Sequence, residues 1–123
     1  MVKLRMGFVV LATAVAGFAW SVPALAAPSA TKVTTVNVVL GKPSEFKFKF
    51  SRTSAPKGVI VFKVSNAGMI VHDLKINGKK TRLLKKGQKQ SIRVVFKKPG
   101  RYNYVCTVAG HAAAGMKGVF IVK

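Results

Sequence analysis

The sequence predicts an all-β protein, a β-sandwich of seven to eight strands that follows an amino-terminal signal peptide. Three observations indicate this fold class. Apolar and polar side chains alternate in short runs, residues typical of turns separate these runs, and no segment after residue 26 has a convincing helical period. Seven or eight short strands in the 97 residues from 27 to 123 are typical of a sandwich. We expect one domain and no internal repeat.

The first 26 residues have the pattern of a secretory signal peptide. Lys3 and Arg5 precede an apolar run of 13 residues, FVVLATAVAGFAW, and Ala-Leu-Ala follows at residues 24–26. The run is shorter than the roughly 20 residues of a membrane-spanning helix, and an uncleaved anchor is the alternative. We therefore expect residues 1–26 to be removed and residues 27–123 to form the domain. The mature protein should then be exported, to the periplasm or the extracellular space.

Strands are predicted from residue 32 onwards. In EFKFKF, Phe46, Phe48 and Phe50 share one face and two lysines the other, which indicates a half-buried strand. In Asn77-Gly78 both residues tolerate positive φ, so this pair predicts a tight hairpin. The remaining runs rich in β-forming residues are KVTTVNVVL (32–40), GVIVFKVSN (58–66), IVHDLKIN (70–77), QSIRVVF (90–96), RYNYVC (101–106), KGVFIVK (117–123) and a weaker KTRLL (80–84).

The chain is strongly basic, with 22 Lys and Arg against two acidic residues, Glu45 and Asp73. The predicted mature protein has a net charge of +18, and eleven of its basic residues lie between Lys75 and Arg101 without an intervening acid. This charge attracts acidic partners. Because the protein is expected to be exported, nucleic acid is not the expected partner, which leaves acidic proteins, wall polymers and anionic membrane surfaces. The alternative is that the charge only keeps the protein soluble.

The single cysteine, Cys106, has no disulfide partner within the chain. It shares a face with Tyr102 and Tyr104 at the end of a predicted strand, so its thiol should point to the core. His111 and Met116 follow in a glycine-containing loop with the spacing Cys-x4-His-x4-Met. The other histidine, His72, lies in the segment SNAGMIVHDLKI. Taken singly, each has an ordinary interpretation: a buried thiol, a core or surface histidine, or a methionine that fills the core.

Taken together, two imidazoles, a thiolate and a thioether form the donor set of a blue copper electron-transfer site. Sulfur ligands suit Cu(I) and imidazole suits Cu(II) as well, so the electron is exchanged with little rearrangement. Zinc also binds Cys and His, but thioether is not among its usual ligands. A full donor set leaves no open position for a substrate, and two histidines are too few for a multicopper oxidase. A Cys–His nucleophile would leave the other two residues unexplained. We therefore expect no enzymatic activity.

At these residues the chain resembles the cupredoxins, the small blue copper proteins. The segment that precedes the ligand loop of cupredoxins is similar to PGRYNYVC, and the loop itself is similar to CTVAGHAAAGMKG. The segment that contains their first ligand is similar to SNAGMIVHDLKI. The resemblance covers essentially the whole mature chain and implies a Greek-key β-sandwich. It also implies one copper ion, Cu(I) or Cu(II), held at one end by His72, Cys106, His111 and Met116.

The resemblance also implies residues that support the ligands, namely Asn66, Asp73 and Thr107. Cupredoxins often have asparagine directly after the first histidine ligand, where this chain has Asp73. An ionised carboxylate there should favour Cu(II) and lower the reduction potential.

The edge of the loop histidine passes the electron to the partner in cupredoxins, and the resemblance implies the same for His111. The small residues around it would form an apolar docking face made of Val108, Ala109, Ala112, Ala113 and Ala114. Lys97, Lys98 and Arg101 should lie towards the end away from copper. We expect a monomeric electron carrier with an acidic redox partner. A copper carrier or resistance protein, and a polycationic binding protein in which copper is secondary, are the alternatives.

Overall fold

The computed structural model describes Gly7, residues 10–25 and residues 32–123. Residues 10–25 form no helix or strand, and their large apolar side chains, including Val10, Trp20 and Leu25, are exposed. The predicted cleavage position after Ala26 lies outside the described residues, so the boundary between signal peptide and domain stays a prediction. In the described part of the chain, no helix has the length and apolar character needed to cross a membrane.

Nine strands lie within residues 33–122 of the described chain. They are β1 (Val33–Leu40), β2 (Phe48–Phe50), β3 (Ser54–Ala55), β4 (Gly58–Asn66), β5 (Lys75–Ile76), β6 (Lys79–Lys80), β7 (Lys89–Phe96), β8 (Gly100–Val105) and β9 (Lys117–Val122). One sheet has the order β2-β1-β4-β7 and the other the order β3-β9-β8-β5-β6. Both sheets are mixed, because β1 pairs parallel with β4 and β3 pairs parallel with β9.

The two sheets enclose one hydrophobic core. Alternate residues of β1, β4 and β7 point inwards, so each of these strands contributes every second side chain to the core. The largest fully buried side chains are those of Phe62, Phe96 and Phe120. The rings of Phe62 and Phe120, from opposite sheets, meet edge to face with centroids 5.5 Å apart. Burying a side chain of this kind contributes about 1.5–3 kcal/mol, so these contacts hold the sheets together.

The predicted fold class is confirmed, while several strand limits differ from the prediction. The strand expected at 45–50 begins only at Phe48, because the residues before it form a turn closed by a hydrogen bond from the Gly41 amide to the Lys47 carbonyl (2.9 Å). All three phenylalanines of that segment nevertheless pack against the core, as predicted. Strand β3 was not predicted, since it has two residues and depends on pairing Ser54 with Ile121.

The segment from 70 to 84 departs most from the prediction. A strand was expected over 70–77, but only Lys75–Ile76 is regular, and the weaker run at 80–84 contributes Lys80 to β6 and Leu84 to one isolated bridge with His72. The hairpin prediction is confirmed: Asn77 and Gly78 have φ of 47° and 75° and connect β5 to β6.

The ends of several strands meet at one end of the sandwich. The register of β8 on β9 pairs Val105 with Lys117, so the loop between these strands leaves and returns at adjacent points. In the other sheet, the register of β1 on β4 pairs Leu40 with Asn66. The segments that follow these residues, together with residues 67–74, contain both acidic side chains and all the potential metal ligands described below.

Candidate metal centre

Three potential metal ligands converge at this end of the sandwich. His72 Nδ1 and His111 Nδ1 are 3.1 Å apart, and Cys106 Sγ lies 3.5 Å from His111 Nδ1 and 4.0 Å from His72 Nδ1. The exposed fractions of His72, Cys106 and His111 are 0%, 1% and 8%. The three donor atoms therefore face one another in a site that is closed to solvent, although 34 residues separate His72 from Cys106.

The loop from 106 to 116, which we call the ligand loop, is closed by its own backbone. The Cys106 amide donates to the Met116 carbonyl (3.1 Å), and the Met116 amide donates to the His111 carbonyl (3.0 Å). Gly110 and Gly115 have φ of 80° and 109°, which favour glycine and permit the turns of this loop. The fully buried Met116 is thus bonded through its backbone to both Cys106 and His111.

Asp73 links the segment that contains His72 to the ligand loop. Its carboxylate is fully buried and accepts two hydrogen bonds from Thr107, one from the amide to Oδ1 (2.6 Å) and one from the hydroxyl to Oδ2. Because Thr107 directly follows Cys106, this contact sets where the ligand loop leaves the sheet. Two of the three residues named from sequence as supports, Asp73 and Thr107, therefore contact each other.

Asn66 connects three backbone segments around His72. Its Nδ2 donates to the carbonyls of Ile70 (2.8 Å) and Leu84 (2.7 Å), and its Oδ1 accepts from the Gly68 amide (2.8 Å). Leu84 in turn exchanges two backbone hydrogen bonds with His72, at 3.1 and 2.8 Å. One buried amide side chain thus uses three of its hydrogen-bonding positions to hold the segment with His72.

Glu45 is a site residue that the sequence analysis did not identify. Its Oε1 lies 2.7 Å from His72 Nε2, and the carboxylate also accepts hydrogen bonds from the amides of Met69 and Ile70 at 3.0 Å. The residue is 27 positions before His72, so no local motif connects the two. The available signal was composition, because Glu45 is one of only two acidic residues in the chain.

The surroundings shift the pKa values of three groups at this site, through hydrogen bonds to Glu45 and through burial of His111 and Cys106. Hydrogen bonds donated by the Met69 amide and, with a smaller effect, by the Ile70 amide lower the pKa of Glu45 to about 2. Burial lowers the pKa of His111 below its usual 6.5, which favours the neutral imidazole that can bind a metal. Burial raises the pKa of the Cys106 thiol, so its proton must leave when a metal ion binds.

The donor triangle has the size that a metal ion requires. Metal-to-donor distances are about 2.0 Å for imidazole nitrogen and about 2.3 Å for thiolate sulfur, as known for zinc. A point inside a triangle with sides of 3.1, 3.5 and 4.0 Å lies at about this distance from each corner. Two imidazoles and one thiolate are also the equatorial donors of blue copper sites. The residues present therefore fit a copper ion.

Most residues of the predicted docking face are exposed to solvent. Ala109, Ala113 and Ala114 are exposed, whereas Val108 and Ala112 are half-buried. Two large apolar residues that were not predicted, Met69 and Ile70, are also exposed, at 71% and 43%. Glu45 binds their amides while it contacts His72, so they lie beside the same end of the sandwich.

The comparisons with known proteins agree with this geometry. The sequence matches the family model described as "Copper binding proteins, plastocyanin/azurin family" over residues 9–123. No curated protein sequence matched the chain.

Three solved structures show how widely this fold occurs. Auracyanin A, a "blue" copper protein from Chloroflexus aurantiacus, is 16% identical with a TM-score of 0.61 and covers 75% of this chain and 100% of its own. Rusticyanin from Thiobacillus ferrooxidans is 22% identical with a TM-score of 0.63, covering 75% and 78%. A multi-copper oxidase from Pediococcus acidilactici is 19% identical with a TM-score of 0.55, covering 83% of this chain but 28% of its own. At these identities the likeness shows the fold.

The match to the family model spans nearly the whole chain, and the donor triangle lies where the two sheets end together. The chain belongs to the plastocyanin/azurin family of copper-binding proteins, the cupredoxins, and copper is its cofactor.

Proposed function

We propose that this chain is an exported blue copper protein that carries single electrons between redox partner proteins and has no enzymatic activity of its own. The observation that carries the proposal is the buried donor triangle of His72, Cys106 and His111. With the buried Met116 as a fourth donor, a metal ion enclosed by these side chains has no open position for a substrate, whereas an electron can still cross a thin layer of protein. His111, with 8% of its surface exposed, is the ligand nearest to such an exit.

The same burial favours a retained cofactor over a transported one. A protein that delivers copper must open its site to a recipient, and two of the three donor residues here are exposed by 1% or less. Hydrogen bonds from Asn66 and Asp73 fix the segments on both sides of the site. A rigid site suits electron transfer, because copper then changes its oxidation state with little movement of the ligands.

Met116 is proposed as the weak axial ligand that completes the set. It is fully buried, and its backbone is bonded to Cys106 and His111. When bound, the copper ion supplies the one-electron redox couple, and the four side chains hold it. Asn66, Asp73 and Thr107 support the ligands through the hydrogen bonds described above.

The proposed docking face consists of the apolar residues around His111, namely Val108, Ala109, Ala112, Ala113 and Ala114, extended by Met69 and Ile70. Lys86 lies at its edge, since its Nζ is 3.3 Å from Met69 Sδ. The start of β8 is flanked by Lys97, Lys98 and Arg101, whereas Cys106 follows the end of that strand. These three basic side chains therefore lie towards the end of the sandwich that is away from the copper site. An apolar face with Lys86 at its edge, on a strongly basic protein, fits an acidic redox partner.

The proposal also includes the location of the protein and its oligomeric state. The signal-peptide pattern of residues 1–26 supports export to the periplasm or the extracellular space. The net charge of +18 opposes self-association, so the protein should act as a monomer, and it also favours contact with an anionic membrane surface.

The test is the colour and the redox cycle of the copper-loaded protein. The oxidised form should be intensely blue or green through charge transfer from the Cys106 thiolate to Cu(II), and it should survive repeated reduction without losing metal. Cys106→Ala should abolish the band, whereas the control Met69→Ala, which removes an exposed sulfur, should not. A strong band that persists in Cys106→Ala would refute the thiolate assignment, and copper loss on reduction would favour a copper carrier.

A further inference from the structure

Glu45 lies behind His72, at the ring nitrogen that faces away from the other two donor atoms. We propose that Glu45 is a positioning residue of the copper site: it orients His72 with Nδ1 towards the metal and stabilises the oxidised ion. This inference rests on the proposed role of His72 as a ligand. It assigns a function to one of the two acidic residues in the chain.

The Glu45 carboxylate is held in a fixed orientation. The Met69 amide donates to both of its oxygens at 3.0 Å, and the Ile70 amide donates to Oε1 at 3.0 Å. His72 Nε2 approaches the same Oε1 at 2.7 Å. An ionised carboxylate only accepts hydrogen bonds, so Nε2 must be the protonated ring nitrogen. The lone pair of the neutral imidazole is then on Nδ1, the atom that faces His111 and Cys106.

Two glycines leave the space that this contact needs. A Cβ added at Gly68 would lie 2.5 Å from Glu45 Oε1 and 2.9 Å from His72 Nε2. A Cβ added at Gly41 would lie 2.5 Å from the Gly68 backbone. A side chain at Gly68 would therefore clash with both partners of this contact, and a side chain at Gly41 would clash with the Gly68 backbone beside them.

The neighbouring residue supports the second histidine. Phe46 packs against His111 edge to face, with ring centroids 5.1 Å apart. The turn that contains Glu45 and Phe46 is closed by the hydrogen bond from Gly41 to Lys47. Two consecutive residues of one turn thus contact both histidines, which is a further reason to regard Glu45 as part of the site.

The charge of Glu45 is not used elsewhere. Within residues 32–123, no lysine or arginine forms an ion pair with Glu45, although Lys42 and Lys47 are exposed in the same turn, and the carboxylate contacts His72 instead. The other acid, Asp73, binds Thr107. A carboxylate hydrogen-bonded to a ligand histidine makes the imidazole a better donor. This should favour Cu(II) over Cu(I) and lower the reduction potential.

The experiment uses the full-length domain and three variants. Glu45→Ala removes both the hydrogen bond and the charge. Glu45→Gln keeps an oxygen that can accept the hydrogen bond but removes the charge. Lys42→Gln is the matched control, because it changes one charge in the same turn at an exposed residue. The readouts are the His72 tautomer, from ¹⁵N NMR of the metal-free protein, and the reduction potential of the copper-loaded protein.

In the metal-free protein, we expect the Nε2–H tautomer of His72 in the wild type and in Glu45→Gln, and a mixture of both tautomers in Glu45→Ala. In the copper-loaded protein, both Glu45 variants should keep the blue band. Their preference for Cu(II) over Cu(I) should fall about tenfold, which raises the reduction potential by about 59 mV for a one-electron couple. Lys42→Gln should shift the potential in the opposite direction and by less.

An unchanged tautomer in Glu45→Ala would overturn the positioning role, and unchanged potentials in both Glu45 variants would overturn the effect on the oxidised ion. If circular dichroism shows that Glu45→Ala does not fold, the potential of the isosteric Glu45→Gln decides. A copper-loaded wild type without the blue band would instead overturn the proposed function. In that case the tautomer in the metal-free protein still tests whether Glu45 orients His72.

Discussion

Replacing Asn66 by alanine should destabilise the metal-free protein strongly, because one side chain makes three hydrogen bonds in a buried place. Two of its partners are carbonyls, those of Ile70 and Leu84, and the third is the Gly68 amide. A hydrogen bond contributes about 0.5–1.5 kcal/mol net, and a buried polar group left without a partner costs about 1–3 kcal/mol. The Leu84 carbonyl keeps a second hydrogen bond, from the His72 amide, whereas the Gly68 amide would lose its partner.

The expected loss is therefore about 3 kcal/mol in the free energy of unfolding. This is a large part of the about 5–15 kcal/mol that stabilises a typical domain. For a domain of this size, it corresponds to a fall of about 12–24 °C in the melting temperature. The measurement is urea unfolding of the metal-free protein, followed by far-ultraviolet circular dichroism. Metal must be absent, because bound copper would stabilise the folded state and hide the effect.

Two further variants make this test specific. Asn103→Ala removes the same side chain from an exposed position in β8 and should change stability by less than about 0.5 kcal/mol. Asn66→Asp keeps an acceptor for the Gly68 amide but sets an oxygen against the carbonyls of Ile70 and Leu84. It should be at least as destabilising as alanine. A loss below about 1 kcal/mol in Asn66→Ala, or a stable Asn66→Asp, would refute the reasoning from hydrogen bonds.

Two other predictions concern the copper ion and the surface charge. Met116→Leu should keep the copper and the blue band while raising the reduction potential, since axial donation favours Cu(II); the control Met69→Leu should change neither, and complete copper loss would contradict an axial role. Reversing Lys85, Lys86 and Lys89 to Glu should slow electron transfer to an acidic redox protein and weaken its salt dependence, measured by stopped flow, because these bases steer the encounter over about 10 Å at 0.1 M salt. Reversing Lys97, Lys98 and Arg101 to Glu should slow electron transfer less. If the rate depends neither on salt concentration nor on the reversal of Lys85, Lys86 and Lys89, the positive charge serves only to keep the protein soluble.

The sequence by itself determined the β architecture and the kind of metal site. Alternation with a period of two located β1, β4, β7, β8 and β9 to within about two residues, because a sheet buries one face and each strand carries this pattern locally. The hairpin at Asn77 and Gly78 was equally local, since it depends on which residues tolerate positive φ. The Cys-x4-His-x4-Met spacing indicated copper because these donors are close in the chain and chemically distinctive.

Only the tertiary structure decided which distant residues contact these elements. Strand β3 has two residues, and its pairing with β9 depends on chain that lies more than 60 residues further on. The segment from 70 to 74 is not a regular strand. The Asn66 side chain donates a hydrogen bond to the Ile70 carbonyl, and a single β-bridge joins His72 to Leu84. Neither feature has a periodic pattern that could reveal it.

Glu45 shows the same limit at the metal centre. Its contact with His72 requires the turn after β1, two glycines from different segments and the amides of Met69 and Ile70 to meet at one point. Periodicity and turn chemistry describe neighbours along the chain, whereas this contact depends on how the ends of two sheets come together. The amino-acid sequence therefore determined the fold class and indicated the donor set, and the stacking of the sheets decided that an acidic side chain of this basic protein lies against His72.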